Sequence, residues 1–307
     1  EFGVSVIKIV ASAEFVIAGN RILGSRVPVG GHTTGLHLIT ENGGIFPHGI
    51  IPAFLLLQGV VFAYSAIELI GTAAGECHDA REVLPKAINS VIWRIALFYV
   101  GSVVLLVCLL PWTAYHAGVS PFVTFFQALG IPGMGTIMNI VVLTAALSSL
   151  NSGLYSTGRV LRALSLGGSG PKMLSKMNRS SVPYIGILTT LAVYLVGVGL
   201  NYLIPARVFE IVLNFSAIGI ISTWGFILLC QQRLRSAIKR GEIAPTTFAM
   251  PGAPVTNWLT LGFLGFVLLM MAFDYPDGTI TIAAIPLIGL ILVGGWILLG
   301  KTRADIR

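Results

Sequence analysis

Glu68 lies about two-thirds of the way along an otherwise apolar run, Ile50–Gly75. An ionised carboxylate in hydrocarbon is costly unless it is paired, protonated or wetted, so an acid in such a place is either a functional group or half of a structural hydrogen bond. Around it stand small residues, Ser65, Ala66, Gly71, Thr72, Ala73, Ala74 and Gly75. They favour an interrupted helix, whose free backbone groups can bind a polar ligand. A second polar cluster, Ser148, Ser149, Asn151 and Ser152, interrupts another apolar run. Four polar side chains in five positions exceed what lipid contact allows, so they are expected to face another helix or a cavity; plain helix packing uses the same small residues. Lys8 sits in a third apolar run. Near a helix end it snorkels to the headgroups; facing the interior, it has an amine whose pKa burial lowers, fit to gain and lose a proton.

Hydrolytic chemistry does not fit these residues. A serine nucleophile needs a base, and His32, His37, His48, His78 and His116 all fall in predicted loops. Cys77, Cys108 and Cys230 are far apart with no CxxC, which suggests neither a metal site nor a redox pair. No ring of charges or filter motif points to a channel. No cofactor is expected.

The elements that must hold these groups are membrane spans. Of 307 residues, 55% are hydrophobic and 10% charged, where soluble domains carry about 25% charged residues. Mean hydropathy is +0.88. The apolar material falls in blocks near the ~20 residues a bilayer requires. Eight spans are expected, at about Phe2–Leu23, Ile50–Gly75, Val91–Leu110, Met134–Leu161, Pro183–Ile204, Val208–Gln231, Asn257–Phe273 and Thr279–Leu299. Together they make one transmembrane domain over residues 1–307, an all-α polytopic membrane protein embedded in a lipid bilayer.

Charge supplies the orientation. The net charge of +7 suits cytoplasmic loops better than nucleic acid, and no nucleic-acid partner is expected. With both ends of the chain in the cytoplasm, the inner loops and tail hold 15 of the 19 Lys and Arg, and the outer side keeps Arg21, Arg26 and Arg207. The Gly- and His-rich outer loop after the first span reads as a solvated loop, its His spacing fitting no standard metal site. Ser120–Leu129 is expected as a short helix on the outer face, and Asp79–Asn89, with Pro85, as a short connector helix on the inner one. Glu1 stands where a Met would begin a chain, and no basic n-region precedes the first apolar run. A missing N-terminal part is therefore expected, and no signal peptide.

Three segments carry a resemblance. Tyr64–Glu76 (YSAIELIGTAAGE) resembles the sixth-helix signature of bacterial amino-acid permeases of the amino acid–polyamine–organocation superfamily. Pro85–Arg94 (PKAINSVIWR) resembles the connector that follows it, and Leu143–Arg159 (LTAALSSLNSGLYSTGR) resembles the eighth helix. Ala272–Thr279 (AFDYPDGT) is similar to members that take L-asparagine. The resemblance implies a LeuT-type inverted-repeat fold, with the eight spans as helices five to twelve and helices one to four missing. It implies a proton-coupled importer of a neutral amino acid, L-asparagine first, working by alternating access. Other amino acids (γ-aminobutyrate, proline, aromatic or basic) and an inactive truncated remnant remain open alternatives. It assigns substrate binding to the sixth-helix break at Phe62, Tyr64, Ser65, Ala66, Ile67 and Glu68. Proton coupling falls to Lys8 and Glu68, and the eighth-helix cluster Ser148, Ser149, Asn151 and Ser152 lies near the place of sodium ligands in sodium-coupled relatives. The implied partners are the amino acid and protons.

Overall fold

The computed structural model describes residues 29–76, 79–116, 118–245 and 249–304. The first expected span, with Lys8, lies outside these. Among the described residues the regular secondary structure is helical, apart from one isolated bridge between Val29 and His32. Seven of the helices are long and apolar enough to cross a membrane: Ile50–Gly71, Arg81–Leu109, Met134–Leu166, Tyr184–Leu203, Val208–Lys239, Val255–Phe273 and Asp277–Ile297. Their surfaces carry many exposed large apolar side chains, such as Leu290, Leu292 and Trp296. That inversion of the usual rule suits a chain whose solvent is lipid.

The helices are α1 (His37–Glu41), α2 (Ile50–Leu55), α3 (Leu57–Ala63), α4 (Ala80–Arg94), α5 (Gly101–Leu109), α6 (Pro121–Ala128), α7 (Met134–Leu166), α8 (Tyr184–Leu203), α9 (Pro205–Lys239), α10 (Val255–Phe273), α11 (Asp277–Ala283) and α12 (Ile285–Ala304). The expected outer helix at 120–129 is present as α6, with Pro121 at its first turn, where a missing N–H costs nothing. The expected connector at 79–89 is not a separate helix. It runs through α4 and a π-helical stretch, Ile95–Val100, directly into α5. Pro85 sits only six residues into α4 and so removes one early backbone bond without ending the helix.

The chain divides into two compact units. One contains Glu1–Gly49 and Glu76–Gly153, the other Ile50–Gly75 and Leu154–Arg307. In the first, Val29, Leu106, Leu109, Leu110 and Phe125 form the buried cluster. The loop before α2 is laced onto it: Gly35 N–H donates to the Cys108 carbonyl at 2.8 Å and Gly30 N–H to the Ala128 carbonyl at 3.1 Å. The Trp112 indole donates to the Asn42 carbonyl at 2.9 Å and its ring meets His48 edge-on. Tyr115 donates its hydroxyl to the Leu106 carbonyl at 2.7 Å, and burial pushes its phenol up to about 12, so the donor persists through any physiological pH.

In the second unit α3 packs on α9 and α10. Val61, Ile221, Leu264 and Val267 are the buried cluster, with Leu57, Trp224 and Leu228 against it. Fully buried Asn257 of α10 donates its amide to Gln231 of α9, a polar tie across an apolar seam. Helices α7 and α8 meet at Gly158 and Gly186, where a Cβ on Gly186 would lie 2.8 Å from the Gly158 carbonyl oxygen.

Candidate functional site

The helix bearing Glu68 is broken, and the break falls at Tyr64–Ala66. Helix α3 ends at Ala63, and a ten-residue 3-10 helix, Ile67–Glu76, continues the span. Ala66 has φ 71°, a left-handed conformation that costs an L-residue about 1–2 kcal/mol. Tyr64 N–H closes the last turn on Val60 and Val61, Ser65 N–H on Phe62, and the next bond is Leu69 N–H to Ala66. Among the described residues, the carbonyls of Ala63 and Ser65 accept no backbone hydrogen bond. Free carbonyls at the C-terminal end of a half-helix, its negative pole, form a site for a cation or an ammonium group.

The strained residue gives a direct check. Ala66→Gly relieves the left-handed cost but adds unfolded-chain entropy, leaving a net gain of a few tenths to about 1 kcal/mol. Ala66→Val places a β-branched side chain where it is a steric outlier and lowers stability by more than that gain. Thermal unfolding midpoints in detergent should therefore rank Gly above Ala above Val. A Val variant as stable as the native chain would remove the left-handed residue from the break.

Glu68 is half-buried and accepts a hydrogen bond on Oε2 from the Trp224 indole of α9, at 3.0 Å. This bond ties the segment after the break to α9, while Val61 ties the segment before it to α9 and α10. A second polar tie lies further up the same span. Buried Gln58 donates its amide to Asp274 Oδ2 at 2.7 Å, at the end of α10, and its own Oε1 is buried without a partner. The sequence reading missed both Trp224 and Gln58. Each had a signal: an indole N–H or an amide inside a span must find a partner, and Glu68 needed a donor.

Phe62, Tyr64 and Ser65 are half-buried, and Ala66 and Ile67 are exposed. These five and Glu68 share one short stretch of chain around the break. Ser148, Ser149, Asn151 and Ser152 are all exposed on α7. The Ser152 hydroxyl turns back to the Ser148 carbonyl of its own helix at 3.0 Å. Asn214 is buried on α9 with its Oδ1 unpartnered among the described residues. Among the described residues no group of three or more His, Cys, Asp or Glu is placed to hold a metal ion.

Helices of membrane length, one of them broken beside a carboxylate, are features shared by carriers of small solutes. The family model for amino acid permeases matches residues 1–307, and the chain belongs to that family. It is 64% identical over 307 residues to the L-asparagine permeases of Escherichia coli (strain K12) and of Salmonella typhimurium, and 52% identical over 301 residues to L-asparagine permease 1 of Mycobacterium tuberculosis. The alignments cover 100%, 100% and 98% of this chain, and the chain spans 62% of the length of each of these relatives. No solved structure matches it. The match to a multi-pass permease family agrees with the seven membrane-capable helices.

Proposed function

We propose that this chain belongs to an importer of L-asparagine that works by proton symport with alternating access. The observation that carries the reading is the break at Tyr64–Ala66, with Glu68 held beside it by Trp224, in a chain 64% identical to L-asparagine permeases. On this reading Phe62, Tyr64, Ser65, Ala66 and Ile67 line the substrate, with free carbonyls of the break facing its ammonium group. Glu68 carries charge that responds to protons, together with Lys8, whose part rests on its place in an apolar run and on the family resemblance. For Ser148, Ser149, Asn151 and Ser152 of α7 the family resemblance supplies the reading, as counterparts of sodium ligands in sodium-coupled relatives. The protein sits in the cell membrane with both ends of this chain in the cytoplasm, as the 15-to-3 division of the cations supports.

The test is uptake of labelled L-asparagine by cells that lack their own asparagine carriers and express the protein. Uptake should rise as the outside is acidified and collapse with a proton ionophore. Excess unlabelled asparagine should compete, whereas γ-aminobutyrate, proline and aromatic or basic amino acids should not. Stronger competition by one of these moves the substrate assignment to it. Uptake that survives the ionophore overturns proton coupling.

A further inference from the structure

The inner end of α9 gathers four cations, Arg233, Arg235, Lys239 and Arg240, within eight residues. Gln232, Ser236 and Arg240 recur at every fourth position and therefore share one face of the helix. With Arg233 they line a cleft of about 280 Å³. The Gln232 amide nitrogen is buried there with no hydrogen-bond partner, a donor awaiting an acceptor. The Ser236 hydroxyl donates to the Gln232 carbonyl at 3.0 Å. Arg240 gives Nε and Nη2 to Glu242, at 2.6 and 3.1 Å, which fixes the guanidinium and keeps Nη1 for another oxygen. Among the described residues no carboxylate pairs with Arg233, Arg235 or Lys239. The carbonyls at this helix end are already capped: Ser236 accepts from Arg240, Ala237 from Glu242 and Ile238 from Gly241. An anion here meets side-chain donors rather than bare carbonyls.

We propose that this cleft binds the phosphate of an anionic phospholipid headgroup. Four cations against one carboxylate supply the charge, and guanidinium and amide N–H groups supply directed donors for phosphate oxygens. The same helix becomes apolar immediately before the cleft, at Phe226–Cys230, and Phe226 and Leu229 are exposed. A ligand that reaches the cations while its tails lie on this apolar surface is a lipid of the adjoining leaflet.

The experiment extracts the whole protein from membranes into mild detergent and weighs it with bound lipid by native mass spectrometry, after exchange into mixed phosphatidylglycerol and phosphatidylethanolamine. The native protein should retain phosphatidylglycerol selectively. The double variant Arg233→Gln/Arg240→Gln should retain it roughly tenfold less, since each basic residue near an anionic surface contributes severalfold to binding. Lys172→Gln/Lys176→Gln removes the same charge from another exposed segment and should retain as much as the native protein. If both double variants lose lipid equally, the attraction is general surface charge and the site is overturned; if neither loses it, the lipid binds elsewhere. Arg233→Lys/Arg240→Lys keeps the charge and guards against misfolding, and it should retain an intermediate amount. Inorganic phosphate in excess should not displace the lipid; displacement would identify the cleft as a site for free phosphate and overturn the lipid assignment.

Discussion

On the proposed function, Glu68→Gln should abolish either asparagine uptake or its dependence on external pH. The substitution keeps the shape of the side chain and an oxygen that can still accept from Trp224, so it removes charge and little else. Trp224→Phe makes the complementary change, keeping the ring among Val61, Ile221 and Leu264 while deleting the N–H. A hydrogen bond to a charged group contributes about 1.5–3 kcal/mol, so uptake should fall roughly ten- to a hundredfold, with the pH profile displaced rather than lost. The double variant should be no worse than Glu68→Gln alone, because the bond has no charged partner left to serve. Each rate must be set against the amount of protein in the membrane. Normal uptake with a normal pH profile in Glu68→Gln would reduce the carboxylate to a structural acceptor.

The largest stability effect is expected at the crossing of α7 and α8. A Cβ on Gly186 would sit 2.8 Å from the carbonyl oxygen and 3.0 Å from the Cα of Gly158. Both are backbone atoms of a long helix and cannot step aside as a side-chain tip can. Even Gly186→Ala forces the helices apart, at about 1–3 kcal/mol, and Gly186→Val costs more. Gly197 lies on the same α8 with open space where its Cβ would be. There the alanine substitution should instead gain up to about 1 kcal/mol of helix propensity. Thermal midpoints of the two alanine variants should thus move in opposite directions. Equal behaviour would mean that the close crossing does not hold the helices together.

Long apolar runs were legible because a bilayer demands them, and seven of the eight expected runs overlap helices long and apolar enough to cross a membrane; the first run lies outside the described residues. Their ends were less legible. Helix α9 was expected to stop near Gln231 and continues to Lys239, because Arg, Leu, Ala and Lys are good helix formers even where hydropathy falls. Helix α7 likewise runs past Leu161 to Leu166. An interruption beside Glu68 was legible from the small residues, but its position was not. No Gly or Pro marks Tyr64–Ala66, and the left-handed turn is taken by an alanine. Trp224 was invisible as a partner because an indole in an apolar run reads as packing, and the acid it serves is 156 residues away. For Ser148–Ser152, composition says that such residues need cover and cannot say which element provides it.

Helix α9 has one more consequence, which is mechanical. Its 35 residues make a rod about 52 Å long, well beyond the ~30 Å of hydrocarbon that it crosses. Trp224, which grips Glu68, and Arg240, beside the basic cleft, are 16 residues apart, or about 24 Å along the axis. Pivoted at Trp224, a tilt of about 10° sweeps the basic end through about 4 Å. One continuous helix thus joins the indole that holds Glu68 to the basic cleft, and a tilt about that indole would move the cleft while leaving the carboxylate nearly in place.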